Sequence, residues 1–359
     1  MCLYLSSMIY KTPKHQRGFF DEAEKVEALE SYKDPLQRIT AVIDFEMFRN
    51  DLELLTEIKI RDEKKGGRPA YDVILMFKAL LIQHLYNLSD DETEFQIFDR
   101  LSFTRFLGLG LNDDVPDAKT IWVFKEHIGA DGIKRLFKLL NKALTGEGLI
   151  VNKGRIVDAT IVEVPRQRNT REENEQLKQG EVPKEWEHND HKLSQKDTDA
   201  QWVSHHGKSF FGYKNHVKVD EKSKLICKYE VTPASVHDSQ PLPKLLDRKD
   251  KNQRLHGDSA YRSSETEVML RKKKITSRIH EKGYRGSPMT KPVLKRNLIR
   301  SKIRARVEHV FATMENSMGG IFARTRSIVR TEIKIGFVNL VYNLLRLTQL
   351  KVSLHYSGG

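Results

Sequence analysis

The stretch "GRIVDATIVEV", residues 154–164, decides how this chain is read. Ile156, Val157, Thr160, Ile161, Val162 and Val164 are β-branched, and branching at Cβ stiffens χ1 against a helix while packing well on a pleated surface. The run therefore predicts a strand. Asp158 interrupts it, and a carboxylate in such a strand costs desolvation free energy unless a cation or hydrogen-bond donors meet it.

Before this strand the pattern is helical. "AYDVILMFKALLIQHLYNL" places Val73, Ile74, Phe77, Leu80, Leu81, His84 and Leu85 at the three-and-four spacing of a buried helical face. "SDDE" reads as a capping box, with Ser89 bonding the first turn and Glu92 reaching back. "ADGIKRLFKLLNKALTGEG" repeats the periodicity and is expected to stop at Gly146 as a left-handed cap. With the basic flank "RDEKKGGRP" (Arg61 to Pro69), residues 1–150 are expected to form an all-α domain for DNA binding or dimerisation; the bland alternative is a helical accessory domain that never touches DNA.

After it, strands enter. "HVKVDEKSKLICKYEV" alternates Val217 and Val219, turns through Asp220 to Lys224 and resumes with Leu225, Ile226, Tyr229 and Val231, a hairpin signal. Between the two strand regions lies "RQRNTREENEQLKQGEVPKEWEHNDHKLSQKDTD", nearly free of aliphatics, so a mobile charged insertion is expected at about 166–208. "RLHGDSAY" gives a short strand ending at Asp258, followed by a long helix around 295–316 and an apolar helix near 331–350 packed on the sheet. The second domain is then 151–352, with a tail at 353–359.

At 359 residues the chain exceeds the usual size of one core. Its net charge of +13 and pI near 9.5 favour polyanionic partners, nucleic acid first. Cys2 and Cys227 are too few for a disulfide framework or a thiolate zinc site. The start "MCLYLSSMIYK" lacks the layout of a secretory signal and no run reaches membrane-spanning length, so a soluble cytoplasmic protein with no membrane partner is expected.

Two further acids share the oddity of Asp158. Asp258 ends a strand before a turn, and Glu308 borders the apolar stripe of Ile303, Val307, Val310, Phe311 and Met314. Divalent cations would satisfy all three: two Mg²⁺ ions held by carboxylates activate an attacking oxygen and stabilise a leaving one at phosphorus. The alternative is three surface or ion-paired acids, since Arg304 stands four residues before Glu308 and could simply pair with it.

Taken together, "IVDAT" (156–160), "GDSAY" (257–261) and "RARVEH" (304–309) resemble the three catalytic motifs of bacterial insertion-sequence transposases of the DDE type, specifically the IS5 family. "KDTDAQWVSHHGKSFFGYKNHVKVD" and "TPASVHDSQPLPKLL" resemble its linking segments, and "GRPAYDVILMFKALLIQHLYNLSDDE" its N-terminal domain, so the likeness spans most of residues 65–350. The resemblance implies an α/β fold, a ribonuclease H-like mixed sheet with flanking helices preceded by the all-α domain. It implies that Asp158, Asp258 and Glu308 are catalytic metal ligands for two Mg²⁺ ions, which Mn²⁺ can replace, and that Arg304 contacts a phosphate. The implied partners are double-stranded DNA, both element ends and target, and a second copy of the chain in a nucleoid-associated complex of the bacterial cytoplasm.

Lys214, in the linking segment, and Lys272, Lys273 and Lys274 are further candidate DNA contacts, although the lysine run suits a solvated face equally. Related transposases often carry a Tyr three residues before the arginine and a Lys seven after the glutamate, where this chain has Ser301 and Glu315. That departure suits the rival reading, a non-catalytic DNA-binding protein derived from a decayed copy. Trp186 and Trp202 could stack on a frayed base or pack internally. His237–Asp238 and the histidines His188, His191, His205 and His206 read as loop or solvated residues rather than as a phosphohydrolase or zinc site.

Overall fold

The computed structural model describes residues 21–30, 32, 34–56, 69–110, 112–205, 207–284, 286 and 288–356. The N-terminal stretch, the basic flank from residue 61 to 68, His206 and the last residues of the tail lie outside them.

Residues Gly154–Glu163 form the strand that the branching predicts. Among the described residues six strands make one mixed sheet: β1 (Gly154–Glu163), β2 (Gln201–His205), β3 (Lys208–Asp220), β4 (Ile226–Pro233), β5 (Arg254–Gly257) and β6 (Thr276–Ile279). The order is β2-β3-β1-β5-β6, with β4 also on β3. β3 is antiparallel to β1, β2 and β4, whereas β5 is parallel to β1 and β6 to β5. The hairpin expected through Asp220 to Lys224 is the β3–β4 connection, closed by the Asp220 N–H on Leu225 O at 2.9 Å. Gly212 pairs with Glu163 at φ 147°, and a Cβ there would stand 2.2 Å from Val162 O, so only glycine lets the two backbones approach.

Alternation along β1 splits the core in two. Ile156 and Val162 face a large cluster that runs from Leu36 to Leu347 and takes in the N-terminal helices and the C-terminal helix (Ile328–Tyr356). Val157 faces a smaller one with Leu242, Leu245, Tyr261, Leu270 and Ile279. The helix Val73–Leu85 buries every predicted position and more, because neighbours surround it: Phe77 meets Phe45, Phe48 and Phe337. Ser89 and Glu92 form the expected capping box. The C-terminal helix packs on the sheet as anticipated, and also on the helix Ala118–Gly146. A Cβ on Gly336 would come within 2.7 Å of Ile133 Cγ1 and Tyr229 Oη, so glycine permits that crossing.

Three local expectations are corrected. The helix Ala118–Gly146 breaks at Gly129 (φ 63°), and its left-handed terminator is Gly148, not Gly146; Gly148 N–H and Leu149 N–H bond back to Thr145 O and Leu144 O at 3.0 Å. The helix expected at 295–316 is two, Lys291–Arg304 and Glu308–Ser317, because the chain turns at 305–307 to bury Val307 completely. The insertion, read as mobile from its composition, carries secondary structure of its own. It contains the helix Arg171–Gln179, opened by a Thr170–Glu173 capping box, and two short helices at Lys184–Glu187 and Asp190–Gln195. Leu177 and Trp186 are its buried anchors, and the Trp186 indole N–H donates to Glu173 Oε1 at 2.8 Å.

Candidate functional site

The parallel pairing of β1 with β5 brings the first two acids together. Ile156 stands opposite His256, so Asp158 and Asp258 lie two residues further along neighbouring strands. Asp258 sits just past the end of β5, exposed, with Oδ1 accepting the Ser259 N–H at 2.5 Å. Asp158 is mostly buried, its side chain 18% exposed. Burial pushes its carboxyl up to about 6 and the Asp258 charge adds to this, against the opposing Ala159 N–H and Arg304.

Glu308 opens its helix with its side chain 60% exposed, at the end where the helix dipole favours an anion. Arg304 links it to the sheet: one guanidinium nitrogen donates to Asp158 Oδ2 at 2.8 Å and another to Glu308 Oε1 at 3.1 Å. The simple i,i+4 pairing weighed from the sequence is therefore present, extended to Asp158. Among the described residues no three His, Cys, Asp or Glu side chains converge tightly enough to enclose a metal ion; the positive charge between Asp158 and Glu308 belongs to Arg304. The donor chemistry nonetheless suits a hard divalent cation, since the oxygens are carboxylate and the raised Asp158 pKa leaves its charge incompletely compensated.

Two residues beside these acids escaped sequence reading. His280 follows β6, its N–H on Gly257 O at 3.2 Å, which sets it next to Asp258. Burial and Arg304 lower its pKa while Asp258 opposes, and its Nε2 lies 3.3 Å from Ser301 Oγ. Tyr261 is fully buried, and its hydroxyl has no hydrogen-bond partner among the described residues. Burial and the charges of Asp158, Asp238 and Asp258 raise its pKa strongly. The register of β5 and β6 reveals His280, whereas Tyr261 ends the stretch "GDSAY" that carries Asp258.

The other candidates are dispersed. Lys214 stands opposite Ile161, three residues from Asp158 and hence on the other face of the sheet. Its ammonium is engaged by Asp238 at 2.8 Å and Val236 O at 2.9 Å. Lys272, Lys273 and Lys274 are exposed, but the Asn252 N–H bonds Lys274 O, which fixes them at the start of β5, opposite the end that leads to Asp258. A basic surface that sequence reading passed over lies closer: the helix Lys291–Arg304 has no buried residue and ends on Arg304. Trp186 is inside the insertion and cannot stack on a base as folded; Trp202 packs on Phe211 at 5.1 Å between ring centroids.

Comparison with known proteins gives two family matches: "Transposase DDE domain" over residues 151–344 and "Transposase domain (DUF772)" over residues 24–127. The first implies the ribonuclease H-like fold, in keeping with the mixed sheet and its flanking helices. Among solved structures, a piggyBac transposase synaptic complex with hairpin DNA is similar at a TM-score of 0.46 and 12% identity, over 91% of this chain and 77% of that one. No helix among the described residues is long and apolar enough to cross a membrane.

Proposed function

We propose, for a chain that belongs to the DDE transposase family, that it binds the terminal inverted repeats of an IS5-type insertion sequence, cleaves a DNA strand at each end and joins the freed 3′-OH to target DNA. The observation that supports this reading is that Arg304 joins Asp158 and Glu308, while the β1–β5 register sets Asp258 beside Asp158.

Asp158, Asp258 and Glu308 are the residues that would hold two Mg²⁺ ions. Bound there, divalent cations supply activation of the attacking oxygen and stabilisation of the leaving one in in-line displacement at phosphorus. The chain's own residues do the positioning. β1 fixes Asp158 in a rigid sheet, and Arg304 keeps Asp158 and Glu308 from repelling each other and can contact a phosphate when released. The basic helix Lys291–Arg304 offers the adjoining surface to the DNA backbone. The helical residues 1–150 would recognise the ends, and two copies would hold a pair of ends together.

The test uses the full chain and a duplex carrying the element's ends. Mg²⁺-dependent nicking is expected for the native chain, with Asp158→Asn, Asp258→Asn and Glu308→Gln each inactive yet binding the ends. Binding without nicking by the native chain would assign it to the non-catalytic reading.

A further inference from the structure

A cavity of about 190 Å³, whose lining does not include Asp158, Asp258 or Glu308, lies where the helix Val73–Leu85, the N-terminus of the helix Asp90–Asp99, the helix Ala118–Gly146 and the C-terminal helix meet under the loop carrying Arg324 and Thr325. Four cations line it. Lys125 is paired with Asp90 at 2.5 Å and Arg330 with Glu126 at 3.3 Å. The remaining two, Lys334 and Arg324, have no carboxylate partner within salt-bridge distance among the described residues. Both rest on neutral oxygens of one residue: Lys334 Nζ donates to Asn87 Oδ1 at 2.6 Å and Arg324 Nη1 to Asn87 O at 3.0 Å. Glu92, whose charge Arg324 also feels, is committed to the Ser89 N–H. His84 adds no charge, because burial and Lys334 hold its pKa well below the usual histidine range.

Two like charges beside one asparagine repel each other, and burial, Arg324 and Lys125 bring the Lys334 ammonium down to about 8 against the opposing charge of Asp90. Thr325 lines the same space with a buried hydroxyl that has no hydrogen-bond partner among the described residues. A pair of cations without a direct ion-pair partner, next to an unused hydroxyl, suits an oxyanion with several acceptor oxygens. The volume fits a phosphate group with its waters and falls below the roughly 300 Å³ at which sites for drug-sized ligands begin.

We propose that this cavity is a phosphate subsite, held by Lys334, Arg324 and Thr325, that takes one backbone phosphate of bound DNA. The DNA source rests on the function proposed above. The Ala323 N–H donates to Glu163 O at 3.0 Å, tying the Arg324 loop to β1 five residues beyond Asp158. At about 3.3 Å per strand residue that is roughly 17 Å, or about five base-pair steps of duplex at 3.4 Å each.

The test compares the full-length chain with Lys334→Met and Arg324→Gln, the latter at an exposed position where folding is not at stake. Thermal unfolding is measured in inorganic phosphate and in chloride at matched ionic strength, and binding to the end duplex is measured against salt. Phosphate is expected to stabilise the native chain and not the variants. Each variant should bind the duplex roughly tenfold more weakly, and the salt slope should fall by about one. Variants that keep both the phosphate response and the native slope would overturn the site. Loss of the phosphate response with an unchanged slope would overturn the DNA assignment in favour of a free phosphate compound. The phosphate measurement needs no cleavage, so its failure is distinct from a failure of the nicking test.

Discussion

Arg304 donates to Asp158 Oδ2 across 2.8 Å, joining a helix end to a strand 146 residues away in sequence. The same guanidinium reaches Glu308 at 3.1 Å. One planar fork thus bonds two carboxylates at once, and a cation entering between them competes with it.

Competition between that arginine and a divalent cation is measurable. Arg304→Ala is expected to bind Mn²⁺ up to about fivefold more tightly in the absence of DNA, since a partly exposed ion pair is worth about 0.2–1 kcal/mol. Isothermal titration of both proteins decides it, and identical affinities would mean that the arginine and the cation occupy different places.

Asp158 should weaken the fold at neutral pH. Its folded pKa of about 6 lies above the value near 3.9 of an unfolded chain, so the native state binds that proton more tightly. The resulting penalty is absent below pH ~4, grows between ~4 and ~6, and is complete above. Asp158→Asn should therefore raise stability at pH 8, by at most about 3 kcal/mol, and leave it unchanged at pH 4. A variant less stable than the native chain at pH 8 would make Asp158 a structural salt-bridge residue.

Glu315 is exposed on the same helix as Glu308, seven residues and about two turns on. Glu315→Lys should tighten binding to the element's ends and steepen the salt dependence by about one ion, while Asp258→Asn in that background stays inactive. An unchanged slope would place Glu315 away from the DNA.

Order in the insertion hangs on few residues. Thr170→Ala removes the cap of the helix Arg171–Gln179, at a cost of about 1 kcal/mol, and Trp186→Ala removes its main anchor, at about 3–5 kcal/mol. Limited proteolysis should cut both variants between residues 166 and 200 faster than the native chain, Trp186→Ala most. Equal cutting rates in all three would refute this account of the order.

A fragment ending at Ile150 lacks the C-terminal helix, against which His84 stacks on Phe337 at 4.6 Å and Ile133 meets Gly336. Such a fragment should expose these surfaces and unfold without a sharp thermal transition. A cooperative transition like that of the full chain would show that residues 1–150 form an independent domain.

The sequence by itself determined what depends on near neighbours: the strand around Asp158, the β3–β4 hairpin, the buried helix Val73–Leu85 and the Ser89–Glu92 cap. Each is encoded in periods of two to four residues or in capping chemistry, and the motif resemblance singled out Asp158, Asp258 and Glu308 as candidates. The tertiary structure decided what joins distant segments. Parallel pairing of Gly154 with Arg254 sets Asp158 beside Asp258 and brings in His280, and no local pattern carries a register between strands a hundred residues apart. The insertion looked too polar to order because composition averages away two anchors. It is held by Leu177, Trp186 and bonds from Ser327 and Ile328 N–H to Asp197 and Asp199. The cavity at Lys334 takes its charges from four segments. Hydrophobic packing fixes where those segments meet, so which cations end up without a counter-ion is a property of the assembled core.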